Sequence, residues 1–270
     1  VSDTLRTEYR KLVTTRLWWV LLAGMAGYMA FLGATMAFAF TLGEGMGGGL
    51  GGEAAAPLPP AELARTVYTL GPALGYVFPA VVGAMSVTGE FRHKTVTMTF
   101  LAEPRRSVVL AAKLLASLPV GLAFGLAGTL GAVLGGAPVL ATAGDGAALA
   151  DPEVLRSVGL SVLALAVWCM VGVGFGTVLT NQVAAIVVLL AFTQFVEPLA
   201  RIGLGAFGPT SGIARWLPGA AGEAITGSSF YSASGIAELL PWWAGLLVLV
   251  GYGLLLAAAG RLTTFRRDIT

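Results

Sequence analysis

The chain reads as an all-α integral membrane protein with six transmembrane helices, and three observations lead there. Of its 270 residues, 56% are hydrophobic and only 11% charged, with a mean hydropathy of +0.83; soluble domains average about 25% charged. The apolar residues gather into six runs, about 17–42, 67–88, 108–134, 157–179, 183–196 and 241–260, which together make one transmembrane domain over residues 1–270. The Lys and Arg residues fall unevenly between the two sets of connections, as they do when alternate loops face opposite sides of a bilayer.

Residues 2–16 precede the first run. Leu5, Tyr9, Leu12 and Val13 recur there at helical spacing while Arg6, Arg10 and Lys11 fall off that stripe, which fits either a helix lying in the membrane interface or a basic flank that orients the first span. Trp18 and Trp19 follow at the expected headgroup level. The first run is long enough to cross a hydrocarbon core of about 30 Å with some tilt. It also exceeds the apolar core of a signal peptide, about 7–15 residues, so it is expected to stay as an anchor.

Residues 43–60 are dominated by Gly, Ala and Pro and read as a flexible external loop. The G-x-G-x-x-G match at Gly43, Gly45 and Gly48 carries no nucleotide chemistry, because no strand precedes it and no helix opens from it. The second run then enters the one long basic interruption of the chain, residues 89–113, which carries Arg92, Lys94, Arg105, Arg106 and Lys113. A cationic loop between two spans belongs on the cytoplasmic side. Its expected work is to dock a separate, energy-supplying subunit.

The spacing of Glu90, Arg92, Thr95, Leu101, Pro104, Arg106 and Lys113 resembles the first cytoplasmic loop of permeases of the type-2 ABC exporter family, and the C-terminal Phe265-Arg266-Arg267-Asp268-Ile269 looks like the tail of many of them. The resemblance implies that residues 2–16 form the interfacial helix. It also implies a short coupling helix ending near Pro104, although Thr95 to Phe100 alternate polar and apolar as a strand would. Glu90, Arg92, Lys94, Thr95, Arg105 and Arg106 are the expected ATPase-docking residues. His93 is the only histidine and is expected to be solvated, since alone it builds neither a metal site nor a catalytic triad.

In the third run, Lys113 is close enough to the interface to snorkel, and Gly121, Gly125, Gly131 and Gly135 form small-x-x-x-small pairs that let another helix approach, or simply reflect a glycine-rich chain. An external loop over 136–156 leads to the fourth run, which holds the lone Cys169, read as a small buried hydrophobe. Thr180, Asn181 and Gln182 are the only break before the fifth run, so they form a tight cytoplasmic hairpin; Asn181 and Gln182 join the expected docking surface. The fifth run meets Glu197-Pro198, where proline breaks the helical ladder and a carboxylate is costly in lipid. Residues 199–240 are too apolar for a plain loop and too broken for a span, and the resemblance implies two re-entrant external helices there, between spans five and six. Trp242 and Trp243 open the last run.

The charge count fixes the orientation. Arg6, Arg10, Lys11, Arg16, Arg92, Lys94, Arg105, Arg106, Lys113, Arg261, Arg266 and Arg267 fall on the expected cytoplasmic side, against Arg65, Arg156, Arg201 and Arg215 outside. Twelve against four places both termini in the cytoplasm of a multi-pass protein of a plasma (inner) membrane, as in bacteria.

No H-E-x-x-H, G-x-S-x-G or Cys/His cluster is present, so an enzyme is not expected, and no P-loop is present to hydrolyse ATP. The chain itself therefore needs no cofactor; ATP and Mg belong to a partner ABC ATPase. The spans hold almost no ionisable group besides Glu197, which disfavours an ion-gradient-driven carrier or channel, the alternative reading. A membrane scaffold or sensor without transport stays open. The expected function is the permease subunit of an ATP-driven exporter, paired with a second permease subunit, identical or homologous, in the lipid bilayer and without nucleic acid. Phe31, Phe38, Phe78, Phe124, Phe175, Phe192 and Phe195 suit an amphiphilic or hydrophobic cargo, and Glu197, Phe192 and Phe195 are candidates for its path or gate. Glu197 has a second reading, as a cap of the re-entrant helices or a partner of Arg201 four residues on.

Overall fold

A computed structural model describes residues 2–46, 59–142, 147–206, 211–229 and 238–265. All regular structure among them is helical, and six helical stretches are long and apolar enough to cross a membrane: Arg16–Thr41, Pro60–Arg92, Arg106–Thr142, Pro152–Val178, Gln182–Gly205 and Trp242–Thr263. These match the six expected runs, with differences at their ends. Gly48, Ala55 and most of the 43–60 loop lie outside the described residues, as does the tail beyond Phe265.

The chain begins with α1 (Ser2–Thr14), then α2 (Arg16–Met46), whose last turn includes Gly43 and Gly45. The second stretch is built from α3 (Pro60–Tyr68), a wide π-helical turn at Gly71–Gly75, and α4 (Val77–Arg92). It starts earlier than expected because Pro60 sits at the first helical position, where a missing N–H costs nothing. Next come α5 (Val96–Ala102), helical rather than a strand, and α6 (Arg106–Thr142), which runs past Gly136. Asp151 caps α7 (Pro152–Val178), its Oδ1 accepting the Glu153 N–H at 2.7 Å.

The fifth stretch does not end at Glu197-Pro198. It continues as α8 (Gln182–Ala191), a π turn at Phe192–Val196, and α9 (Glu197–Ala206). Pro198 cannot donate to the carbonyl four residues back, and the chain accommodates this by widening one turn ahead of it, the Glu197 N–H reaching the Phe192 carbonyl five residues back. The Thr193 carbonyl, released from the ladder, accepts the Tyr76 hydroxyl at 3.0 Å. Two short helices follow, α10 (Ser211–Ala214) and α11 (Pro218–Thr226), before α12 (Trp242–Thr263).

Helix α7 is the hub, packing on α4, α6, α11 and α12. Its residues from Ala164 to Gly174 are buried without interruption, as an apolar sequence on every face allows. The glycine pairs of α6 serve two neighbours. A Cβ on Gly121 would lie 2.7 Å from the Ala166 Cα of α7, and one on Gly135 would lie 1.9 Å from the Ala30 carbonyl oxygen of α2. Only glycine permits either approach.

Candidate functional site

Four separate pieces of chain meet at one end of the bundle: α1, the loop containing α5, the 179–181 hairpin and the residues after α12. The Arg92 guanidinium donates to Gln182 Oε1 at 3.2 Å, joining the basic loop to the hairpin. Asn181 caps α8, its Oδ1 accepting the Ala184 N–H at 3.1 Å. Arg106 donates to the Phe265 carbonyl and lies 5.2 Å from the centre of the Phe100 ring. Phe265 is buried between Phe91 and Phe100. The expected Arg106 contact is thus turned inward, holding the loop to the end of α12.

Lys94, Thr95 and Arg105 remain exposed with His93. Lys94 occupies a left-handed conformation (φ 56°), and so sets the sharp turn between α4 and α5. Hydrogen bonding to Arg105 lowers the Glu103 carboxyl below its ordinary value, and the same contact raises Arg105. Helix α5 buries Val96 but leaves Met98 67% and Leu101 71% exposed. Two large apolar side chains three residues apart share one face, set among the exposed bases of the loop. Periodicity did not single them out, because the Thr-x-Thr-x-Thr alternation around Met98 reads as a strand.

Behind this surface lies a box of four charges, three of them buried and the fourth, Lys11, open to solvent. Glu8 of α1 meets Lys11 at 2.7 Å and Lys113 of α6 at 2.6 Å; Glu90 of α4 meets the same two lysines at 2.7 and 2.9 Å. Thr99 of α5 receives a hydrogen bond from Lys11 at 3.1 Å. Two cations and two anions leave the box neutral and tie α1, α4, α5 and α6 together. Lys113 therefore does not snorkel to water; its side chain is 2% exposed. The buried face of α1 centres on Glu8, and Tyr9 of the apolar stripe is turned outward. Burial alone would lower the Lys11 ammonium, but Glu8 and Glu90 outweigh it and hold Lys11 above its ordinary value. Glu8 carried no sequence signal beyond its i,i+3 spacing to Lys11.

The opposite end holds a second buried cluster. Glu197 is 1% exposed; its Oε1 accepts from Arg201 at 3.0 Å and from the backbone N–H groups of Gly219 and Ala220 at 2.6 and 3.2 Å. Glu197 thus caps α11, where helix N–H groups favour an anion. Arg201 also reaches Glu223 at 2.6 Å, and Ser229 donates to Glu223. Sequence reasoning missed Glu223, the one carboxylate of the apolar segment 207–237, and so expected fewer buried charges than the chain contains. The Tyr76 ring lies against Trp168, 4.2 Å between centres.

Of the aromatic residues considered for cargo, Phe31, Phe38, Phe192 and Phe195 face outward from the bundle, whereas Phe124 is in the core and Phe78 and Phe175 pack against it. Among the described residues no group of three or more His, Cys, Asp or Glu could hold a metal. No family model and no curated protein matches the chain.

Proposed function

We propose that this chain is the permease subunit of an ATP-driven exporter of the type-2 ABC class, moving an amphiphilic or hydrophobic substrate such as a drug, lipid or natural product out of the cytoplasm or inner leaflet. The observation that carries the reading is the surface on α5: Met98 and Leu101 stand exposed beside Lys94 and Arg105, next to the Arg92–Gln182 junction. Exposed apolar side chains ringed by charge are the anatomy of a protein contact. The proposed partner is a soluble ABC ATPase, with ATP and Mg bound there. Its closure would push on α5, and the Glu8–Lys11–Glu90–Lys113 box would pass the movement to α1, α4 and α6.

Further features accord with this reading. The stretches Arg16–Thr41 and Gln182–Gly205 bury the smallest shares of their residues and offer faces for lipid and for a second permease copy, identical or homologous. Phe192 and Phe195 on the second face would border the cargo path, and Glu197 would act there by setting α11 rather than by touching cargo. The proposed setting is a bacterial inner membrane with both termini inside, α1 lying in the interface and α10 and α11 as the re-entrant pair.

The buried Glu197–Arg201–Glu223 cluster favours a second reading, an ion-gradient-driven transporter, because ionisable groups at membrane depth often mark ion paths. Inverted vesicles from the native membrane distinguish the two, with a neutral and a cationic hydrophobic dye as probes. Uptake that needs ATP and survives ionophores supports the exporter. Uptake that ionophores abolish and ATP does not restore overturns it.

A further inference from the structure

At the end opposite the α5 surface, a cleft of about 300 Å³ opens between α3, the start of α7, the end of α11 and the start of α12. Arg65 lines it and is held in place by three contacts. Its Nε donates to Ser157 Oγ at 3.1 Å, Nη2 to the Gly227 carbonyl at 3.1 Å, and Nη1 to Glu153 at 3.3 Å. The Glu153 side chain is 78% exposed, so it neutralises Arg65 only weakly. Arg156, which also lines the cleft, has no ion-pair or hydrogen-bond partner among the described residues. Two guanidinium groups against one solvated carboxylate leave a net positive charge.

The other wall is apolar, with Leu160, Leu240 and Trp242 facing the same space. Trp242 opens α12, at the level where tryptophan marks the boundary between headgroups and hydrocarbon. A guanidinium pair beside an apolar wall at that depth matches a phosphate attached to an acyl chain, since arginine forks bind phosphate oxygens bidentately. We propose that this cleft binds the phosphate headgroup of an anionic phospholipid, its acyl chains running along the Leu160 and Trp242 side. Helix α11 forms part of the cleft and is capped at its far end by Glu197, so an occupied cleft braces α11 from both ends. The site lies within the single chain and needs no ATPase.

Hydrogen–deuterium exchange of the full chain tests this in nanodiscs of phosphatidylcholine alone and with increasing phosphatidylglycerol. Phosphatidylglycerol should slow exchange in residues 60–68 and 151–158. Arg156→Gln removes one cation near the surface, which corresponds to about a fivefold rise in the phosphatidylglycerol fraction needed for half-maximal protection. Arg156 is exposed and unpartnered, so its removal leaves the fold intact. Arg65→Gln should raise the requirement at least as much. Inorganic phosphate added to phosphatidylcholine nanodiscs should give no protection. The proposal falls if protection is absent, if it is unchanged in Arg156→Gln, or if inorganic phosphate alone reproduces it, the last result marking a small-anion site instead.

Discussion

Among the described residues the cluster of Glu197, Arg201 and Glu223 holds two carboxylates around one guanidinium, and this imbalance ranks the effects of its three conservative substitutions. Arg201→Gln leaves two buried carboxylates without their cation; breaking a buried pair in this way costs about 3–5 kcal/mol, and the second orphaned carboxylate places this variant at the upper end. Glu197→Gln keeps an amide oxygen for the Gly219 and Ala220 N–H groups and leaves a balanced Arg201–Glu223 pair. Its cost is the lost charge at the α11 cap, about 1–2 kcal/mol. Glu223→Gln removes the excess negative charge and leaves the Glu197–Arg201 pair and the cap intact, so it should lie within about 1 kcal/mol of wild type. At roughly 2–4 °C per kcal/mol for a chain of this size, Arg201→Gln should lower Tm by roughly 10 °C or more, Glu197→Gln by a few degrees and Glu223→Gln by little. Tryptophan fluorescence during thermal unfolding in detergent reads all three, since Trp168 packs against α11 at Gly222. Equal Tm values for Arg201→Gln and Glu223→Gln would refute the charge argument.

Three further expectations use other parts of the fold. Gly135→Val should cost about 3 kcal/mol or more, because its Cβ meets the Ala30 carbonyl oxygen of α2, whereas Gly159→Ala, with nothing within 4 Å, should be neutral or stabilising by up to about 1 kcal/mol; paired Tm measurements decide. Lys113→Gln should release α1 by leaving Glu8 and Glu90 with Lys11 alone, seen as faster proteolysis of residues 2–14. The same α1 contact should hold at neutral pH, because the raised Lys11 value means its contribution is complete below the ordinary 10.5 and is lost only as pH climbs through the higher folded value. In a Cys169→Ala background, Ala147→Cys should react with an impermeant thiol reagent on intact cells and Ala102→Cys should not; the reverse pattern would invert the proposed orientation.

Hydropathy made the six stretches legible because each depends on local composition and period, whereas the α6 glycine spacing left open whether another helix approaches there, which Ala166 and Ala30 decide. The errors at the stretch ends share one cause. Arg65 lies just outside the expected second run and Glu197 and Arg201 at or beyond the end of the fifth, yet each is matched by a group distant in sequence: Ser157 and Gly227 for Arg65, Gly219 and Glu223 for the other two. Pro198 read as a helix end because the π turn ahead of it and the Tyr76 hydroxyl that satisfies Thr193 are tertiary facts. The basic loop stood out as charge in an oily chain. Which bases point outward did not, since Arg106 and Lys113 are held by Phe265 and Glu8, which lie far from the loop in sequence, as well as by Glu90 at its start.

The central claim, that energy enters through a separate ATPase seated on α5, is tested most directly by purifying the affinity-tagged chain from its native membrane in mild detergent. The account predicts a P-loop ATPase polypeptide in about one-to-one ratio with the chain, and its loss from the Met98→Asp/Leu101→Asp variant, whose Tm should stay near wild type because both side chains are exposed. A wild-type chain that purifies without any ATPase, or a double variant that keeps its full complement, would contradict it.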